Sequence, residues 1–217
     1  MDNIDKLAEY FREFPGIGER QARRFVYFLL SKNPSYLENL SSGIKNIKKE
    51  IRQCEKCFRF FTSPEKCNLC FSPNVETDKI LIVEKDSDLE ALKRSGNYHG
   101  FYFVFGGLVP IVEKTTESRV RINELVERIK KDLTPAPTKV GSDPSPSKVE
   151  GQLKEIILAF SASPQGEHTD VYIRRTLSPL TDPANIKISS LGRGLSTGTE
   201  LEYSDKSTLD NALKNRS

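Results

Sequence analysis

The chain has 217 residues, of which 36% are hydrophobic, and a formal net charge of +3. This length suits one medium domain with one or two small ones, and no apolar run approaches the roughly 20 residues that span a bilayer, so we expect no membrane protein. Residues 1–5 are acidic and have no signal-peptide character, which predicts a cytoplasmic location. The first 70 residues hold 13 Lys and Arg against 9 Asp and Glu, so the basic excess lies in the N-terminal third.

Apolar residues recur at helical spacing in this N-terminal third and predict three amphipathic helices. Ile4, Leu7 and Phe11 mark the first helix. The second has Ala22, Phe25, Val26 and Leu29 on one face, and the third, which leads into Cys54, has Leu37, Leu40, Ile44, Ile47 and Ile51. Apolar stripes of this extent need partners, either one another or another subunit.

The segment Pro15-Gly16-Ile17-Gly18 joins the first two helices and predicts a tight hairpin. Its backbone N–H groups come at the N-terminus of the next helix, where the helix dipole favours an anion. Arg20, Arg23 and Arg24 follow on the first turns, and Arg20 and Arg24 share a face because they are four residues apart. Gly16, Gly18, Arg20 and Arg24 are therefore the candidate DNA-binding residues, and contacts of this kind are to phosphates and independent of sequence.

A second interpretation of the hairpin stays open at this point. The glycines could simply close a turn between two packed helices while the arginines face water. Glu19, beside the proposed phosphate position, favours this alternative.

All four cysteines fall within 17 residues, as two CxxC pairs separated by nine residues: Cys54, Cys57, Cys67 and Cys70. Four thiolates at this spacing are the ligand set of a structural zinc site, so we predict a four-cysteine zinc finger that binds Zn²⁺. Two disulfides would need an oxidising compartment, and a redox CxxC pair would not come duplicated. An iron–sulfur cluster uses the same ligands and stays open on spacing alone.

Beyond the cysteines, short apolar runs alternate with helical patterns, which predicts a mainly parallel, Rossmann-like sheet. The predicted strands are 79–83, 101–105, 155–160 and 186–190, and the predicted helices are 88–94, 122–133 and about 169–177. Residues 134–151, with four prolines, and the glycine-rich residues 192–198 read as loops, and a short helix is predicted at 207–213. His99 and His168 are solitary and are expected at the surface.

Acidic residues follow two of the predicted strands. Glu84, Asp86 and Asp88 come after the first, and Gln165-Gly166-Glu167 after the third. Carboxylates from two strand ends could chelate Mg²⁺, but helix capping explains Asp86 better, and Glu167 falls in a first helical turn. No GxxxxGK[ST] sequence and no GxGxxG after a strand is present, so nucleotide binding has no support.

In chain order, these features resemble the RecR family of bacterial recombination mediators over nearly the whole chain. The matching segments are FPGIGERQARR, CEKC…CNLC, ILIVEKDSDLEAL, GFYFVFGG, RVRINEL, EIILAFS and RGLSTGTELEYSDKSTLDNAL. The resemblance implies an α+β multidomain fold. Its parts are a helix-hairpin-helix DNA-binding and oligomerisation module at 1–53, a four-cysteine zinc finger at 54–77, a Toprim α/β domain at 78–190 with the insertion at 134–151, and a C-terminal segment at 191–217.

The same resemblance implies a function that is not enzymatic. The family's role is to load RecA onto single-stranded DNA at gaps, with RecO and sometimes RecF as partners, from a ring-like homotetramer formed partly by exchange of N-terminal segments. Its basic hairpin positions fall on Arg20 and Arg24. Its zinc ligands fall on the four cysteines, and its Toprim acidic positions, the candidate partner contacts, on Glu84 and Glu167.

Two departures from the family pattern stand out. Gln165 replaces the first carboxylate of the usual acidic-Gly-acidic element, which weakens any Mg²⁺ site, and the stretch 134–151 is longer than the usual connection. The alternative function, a metal-dependent Toprim nuclease or primase-type enzyme, needs that acidic cluster and is therefore disfavoured.

Overall fold

A computed structural model describes residues 2–62, 66–112, 119–133, 153–192 and 208. The chain divides into two compact units, Met1–Arg52 and Gln53–Ser217. The proline-rich residues 134–151 lie outside the described residues, as do the predicted loop after Gly192 and the predicted terminal helix except for Thr208.

The first unit consists of the three predicted helices, α1 (Asn3–Arg12), α2 (Glu19–Leu30) and α3 (Pro34–Glu50). Helices α1 and α2 pack against each other through a small core, in which Ala8, Ala22 and Val26 are buried. Helix α3 starts at Pro34 because the Asn33 side chain accepts the N–H of Tyr36, at 2.8 Å.

Helix α3 buries none of its residues. Its predicted apolar stripe is present but lies open to solvent, and Ile44 and Ile47 are 64% and 51% exposed. Leu37 and Leu40 on the same stripe are also exposed. A helix stripe of this kind gains stability only by packing, so α3 has an unused apolar face in the single chain.

After the three helices come a two-stranded sheet, β1 (Arg52–Gln53) and β2 (Phe60–Phe61), and then a four-stranded sheet. The four strands are β3 (Glu76–Val83), β4 (Gly100–Val104), β5 (Glu155–Ala159) and β6 (Lys187–Ser190). Their order is β4-β3-β5-β6, and every pair of neighbours is parallel, which confirms the predicted parallel sheet.

Helices cover both faces of the four-stranded sheet. They are α4 (Asp86–Ser95), α5 (Ile122–Leu133) and α6 (Pro164–Thr181). Ile80 and Ile82 of β3 pack in the larger core with residues of α5 and α6, whereas Leu81 and Val83 pack in a second core with Leu89 of α4. Burial on both faces explains why this strand reads as a continuous apolar run. Within the described residues, no helix combines the length and the apolar character needed to cross a membrane.

The structure lengthens two of the predicted helices. Helix α4 begins at Asp86, two residues earlier than predicted, and α6 begins at Pro164, five residues earlier. Ser163 explains the second difference, because its side chain accepts the N–H of Gly166 at 3.1 Å and caps the helix.

Candidate metal centre and nucleic-acid interface

The four cysteines form one buried cluster. Their sulfur atoms all lie within 4.8 Å of one another, with 3.8 Å between the Sγ atoms of Cys54 and Cys70 and 3.7 Å between those of Cys57 and Cys67. These distances are far longer than a disulfide bond, and all four cysteines are free. They match the separation of about 3.8 Å that Zn–S bonds of about 2.3 Å produce in a tetrahedron. The cluster can therefore hold a tetrahedral metal ion.

Two tight turns bring the sulfurs together. In the first, the N–H of Phe58 donates to the carbonyl of Cys54 at 2.8 Å, and Phe58 adopts a left-handed conformation with φ of 60°. In the second, the N–H groups of Cys70 and Phe71 both donate to the carbonyl of Cys67. Each CxxC pair thus closes a turn, and the two turns bring all four sulfurs within 4.8 Å of one another. We call residues 54–62 and 66–71 the cysteine knuckle.

Hydrogen bonds among the four sulfur atoms shift the pKa values of the cysteines in opposite directions. Hydrogen bonding with Cys57 lowers the pKa of Cys54 to about 6. Hydrogen bonds with Cys54 and the other thiols, together with one from Arg59, lower the pKa of Cys67. The same contacts raise the pKa of Cys57 and of Cys70. Metal ions bind the thiolate form of cysteine, so a bound ion would favour loss of the proton from all four sulfurs.

Arg59, which was not among the predicted site residues, supports this cluster from inside the protein. It is only 6% exposed, its Nε lies 3.2 Å from the Sγ of Cys67, and its guanidinium also contacts Asn68 and, at 3.7 Å, Glu90. A buried cation beside a thiolate offsets the excess negative charge of a four-thiolate site and orients one ligand. The sequence offered no signal for this role, because an arginine between two phenylalanines is typical of a surface charge.

Helix α4 holds the cysteine knuckle through two acidic residues on one face. Asp86 accepts the N–H of Phe60 at 2.8 Å, and Glu90, four residues later, pairs with Arg59. The prediction that Asp86 caps α4 is wrong, because Lys85 occupies the N-cap position without a side-chain hydrogen bond. Asp86 was free to bind elsewhere, and it joins the knuckle to the start of α4.

The glycine hairpin needs only one of its two glycines for its backbone shape. Gly16 has φ of 77°, in the left-handed region, whereas Gly18 has an ordinary φ of −86°. Gly18 is the N-cap of α2 and offers no side chain to cap it. The first-turn N–H groups of α2 therefore have no capping side chain, which leaves the positive end of the helix dipole open.

The three arginines of α2 differ in their partners. Arg23 pairs with Asp5 at 3.0 Å and with Glu19 at 3.6 Å, so the carboxylate of Glu19 is already engaged. Arg20 and Arg24 are exposed and, among the described residues, have no acidic group within 4.0 Å; Arg24 only contacts Gln21, at 3.4 Å. Two guanidinium groups on one helix face are thus available to an anion beside the uncapped helix end.

Glu84 and Glu167 both belong to the carboxyl edge of the parallel sheet. Glu84 directly follows β3 and is half-buried, and its carbonyl accepts the N–H of Gly106 at 2.8 Å. Glu167 lies exposed in the first turn of α6, which follows the neighbouring strand β5. The position of Glu167 in a first helical turn is as predicted.

Gly166, between Gln165 and Glu167, cannot carry a side chain. A Cβ atom there would lie 2.0 Å from the carbonyl oxygen of Ser161. Gln165 is exposed, and its carbonyl accepts the hydroxyl of Thr169 at 2.8 Å. In the part of the chain that the structure describes, the cysteine cluster is the only group of three or more His, Cys, Asp or Glu side chains close enough to hold a metal.

The two histidines differ in how far they are exposed to solvent. His99 is exposed, as expected, but His168 in α6 is half-buried, and its Nδ1 is buried without a hydrogen-bond partner among the described residues. The prediction of a surface position for His168 is therefore wrong. It fails because α6 begins earlier than predicted and turns this residue partly toward the protein.

The fold and these sites define a class of protein in which a helical hairpin module and a four-cysteine knuckle precede a Toprim domain. Residues 4–48 match the family description "RecR, helix-hairpin-helix", residues 78–191 match "Toprim domain", and residues 194–217 match "RecR, C-terminal". The chain is 36% identical to a recombination protein RecR of Dehalococcoides mccartyi, covering 98% of this chain and 93% of that protein. It is 32% identical to a recombination protein RecR of Lactobacillus acidophilus, covering 98% and 96%. The chain belongs to the RecR family.

Proposed function

We propose that this protein is a recombinational DNA repair mediator that binds DNA without sequence preference and helps to load RecA onto single-stranded DNA at gaps. The observation that carries the DNA-binding part is the pair Arg20 and Arg24, two guanidinium groups beside the uncapped N-terminus of α2 that have no acidic partner within the described residues. Its relatives are named recombination proteins, which supports the process in which such binding would be used.

The proposed contacts are to phosphates. The first-turn N–H groups of α2, which follow Gly18, would hold one phosphate at the helix end, while Arg20 and Arg24 would hold its neighbours. Such contacts carry no sequence information and lose affinity as salt rises. Single-stranded DNA and gapped duplex both present a phosphate backbone, so both are proposed ligands.

We propose Zn²⁺ as the ion of the cysteine cluster, with a structural role. The four ligands are all sulfur, their spacing suits a tetrahedron, and they are buried with no open position for a substrate. Bound zinc would hold the cysteine knuckle folded. Among the described residues, the apolar side chains that pack against the cysteines are those of Phe61 and Leu69.

We propose that the working form is a homotetrameric ring assembled through the first unit. The exposed stripe of α3, at Leu37, Leu40, Ile44 and Ile47, is the surface that such an assembly would bury. Several copies of the α2 arginine pair around one ring would then contact one DNA molecule, and their affinities would combine.

Glu84 and Glu167 are the proposed docking contacts for RecO and, in some members of the family, RecF. Their place at the carboxyl edge of the sheet gives an acidic patch suited to a basic partner surface. Catalysis is not part of the proposal, because Gln165 stands where a third metal-binding carboxylate would be needed. The protein would act in the cytoplasm, together with the chromosome.

The test replaces Arg20 and Arg24 together with alanine. We expect weaker binding of every DNA sequence alike, and a plot of log K against log salt that is shallower by about one for each phosphate that a subunit no longer neutralises. Fluorescence anisotropy with labelled single-stranded and gapped DNA measures both quantities.

The matched control is Lys45→Ala with Lys49→Ala, which removes the same charge from two exposed residues four apart on α3. The native mass of each variant is measured alongside to detect any change in assembly. An unchanged salt slope for the arginine variant would place the DNA path elsewhere. A Mg²⁺-dependent nicking activity that Glu84→Gln abolishes would instead support the enzymatic alternative.

A further inference from the structure

The cysteine knuckle carries an exposed aromatic ring directly after its last cysteine. Phe71 is 47% exposed. Its backbone is fixed, because its N–H donates to the carbonyl of Cys67 at 3.1 Å in the second turn of the knuckle. The second turn thus fixes the position of a ring that keeps 47% of its surface in solvent.

Two lysines stand over this ring. The Nζ of Lys56, from the first CxxC turn, lies 4.7 Å from the ring centroid, and the Nζ of Lys66, just before the second turn, lies 5.6 Å from it. Both side chains are exposed, and within the described part of the chain neither has an acidic group within 4.0 Å. The two turns thus bring one open ring and two accessible cations to a single spot on the knuckle.

This combination suits one kind of ligand. A flexible polyanion that also carries flat rings can stack a ring on Phe71 and place phosphates at Lys56 and Lys66, as proteins that bind single strands do. Duplex DNA keeps its bases stacked inside and offers only the phosphates. We propose that Phe71, Lys56 and Lys66 form a stacking site for an unpaired base of single-stranded DNA, separate from the hairpin of the first unit.

A second lysine–aromatic cluster in the chain has a different arrangement, with one lysine and two rings. Lys32 lies over Phe28 and Tyr36, but these two rings pack edge to face at 6.2 Å, so each covers part of the other. Phe71 makes no such ring contact within the described residues. Phe28 and Tyr36 are about as exposed as Phe71, at 48% and 41%, so the distinction is the number of cations: the knuckle sets two lysines at one ring, whereas a single lysine serves two rings in the other cluster. Stacking of a base on Phe71 would move the lysines from the ring face to the phosphates.

The inference rests on the proposed DNA binding. It adds that the site on the cysteine knuckle binds an unpaired base of the DNA. It predicts that single strands with bases gain affinity from the knuckle, whereas the hairpin arginines serve single strands and duplex alike. A chain with an intact hairpin and an altered ring should keep its duplex affinity.

The absence of tryptophan from the chain allows a direct test. Phe71→Trp in the full-length, zinc-loaded protein introduces a single tryptophan at the site, and Phe60→Trp is the matched control. Phe60 lies on the same knuckle and is 56% exposed. Each variant is titrated with oligothymidylate, with an abasic deoxyribose-phosphate strand of equal length, and with duplex, while the anisotropy of labelled DNA reports binding separately.

We expect oligothymidylate to quench the tryptophan at position 71, while the abasic strand and the duplex bind without quenching it and the control is unaffected by all three. Phe71→Ala should weaken oligothymidylate binding about ten-fold and leave the abasic strand unchanged. Loss of Lys56 or Lys66 should make the single-strand salt slope shallower by about 0.7 each.

Binding by anisotropy with equal tryptophan signals at positions 71 and 60, or a Phe71→Ala variant with unchanged affinity, would overturn the inference and leave the proposed function standing. Failure of the unsubstituted protein to bind any strand at low salt would overturn both.

Discussion

The two units of this protein use their apolar residues in opposite ways. The second unit buries them in two cores, one on each face of its sheet, and Ile82 and Phe103 are fully enclosed. The first unit buries only Ala8, Ala22 and Val26 among its described residues and leaves the α3 stripe in solvent. A sheet with helices on both faces completes its core within one chain, whereas three short helices do not.

This difference separates folding from assembly. The second unit closes its cores within one chain, and the cysteine cluster is the possible metal site within it. The first unit has an apolar face that only another surface can cover, and the proposed ring would supply that surface. Substitutions that disturb the second unit should therefore alter its folding. Substitutions on the apolar face of the first unit should alter the native mass of the assembly.

The largest expected effect comes from removing the metal, and it should be confined to the second unit. Cys57→Ser takes away one of four buried ligands, and in isolated zinc peptides the metal contributes about 10–16 kcal/mol of binding free energy. We expect loss of bound zinc and rapid hydrogen exchange in the cysteine knuckle. Exchange in α1 and α2 should be unchanged.

Metal analysis measures the bound zinc, and segment-resolved hydrogen exchange measures the exchange rates of the cysteine knuckle and of α1 and α2. Phe60→Ser, an exposed substitution on the same knuckle, is the control and should retain the zinc. If the cysteine variant exchanged at the normal rate throughout the knuckle, the metal would have no structural role.

A smaller effect, on assembly rather than on folding, is expected from the α3 stripe. Ile44→Glu with Ile47→Glu places two charges on the exposed apolar face, so burying that face against another subunit becomes unfavourable. We expect the native mass to fall below that of a tetramer, while the unfolding of the second unit is unchanged. Native mass spectrometry and a thermal melt check the two expectations.

The control adds the same charge to the opposite face of α3. Ser35 and Ser42 are exposed and seven residues apart, which is about two turns, and Ser35→Glu with Ser42→Glu should leave the mass unaltered. An equal loss of assembly in both pairs would mean that charge alone, and not the apolar stripe, is responsible.

The smallest effect is expected at the glycine hairpin. Gly16→Ala forces a residue with a Cβ atom into the left-handed region and should destabilise the packing of α1 on α2 by about 1–2 kcal/mol. Gly18→Ala meets no atom within 4 Å at an ordinary φ and should change stability by less than about 0.5 kcal/mol. The two variants are compared by the hydrogen-exchange rates of the α2 amides. Equal rates would show that the turn tolerates alanine at position 16 as well as at position 18.

Much of the fold could be predicted because its signals are local. The period of three to four residues places α1, α2 and α3, and the short apolar runs place the four strands of the parallel sheet. The cysteine spacing alone predicts the cluster that the structure brings together. Each of these signals depends on residues close to one another in sequence.

The interactions that could not be predicted join distant parts of the chain. Asp86 looks like a helix cap from its neighbours, yet it binds Phe60, 26 residues away. Arg59 looks like a surface charge, yet it is buried against Cys67 and Glu90. Which polar groups a buried cluster recruits depends on the packing of separate elements, and no local pattern records it.

The confinement of every cysteine to one buried cluster has a practical consequence for work on this protein. With the proposed ion bound, a thiol reagent would have no free cysteine to modify, so the rate of the thiol reaction would report on release of the ion. A single cysteine engineered on the outside could then carry a dye without side reactions, which makes the native chain its own clean background for distance measurements by fluorescence.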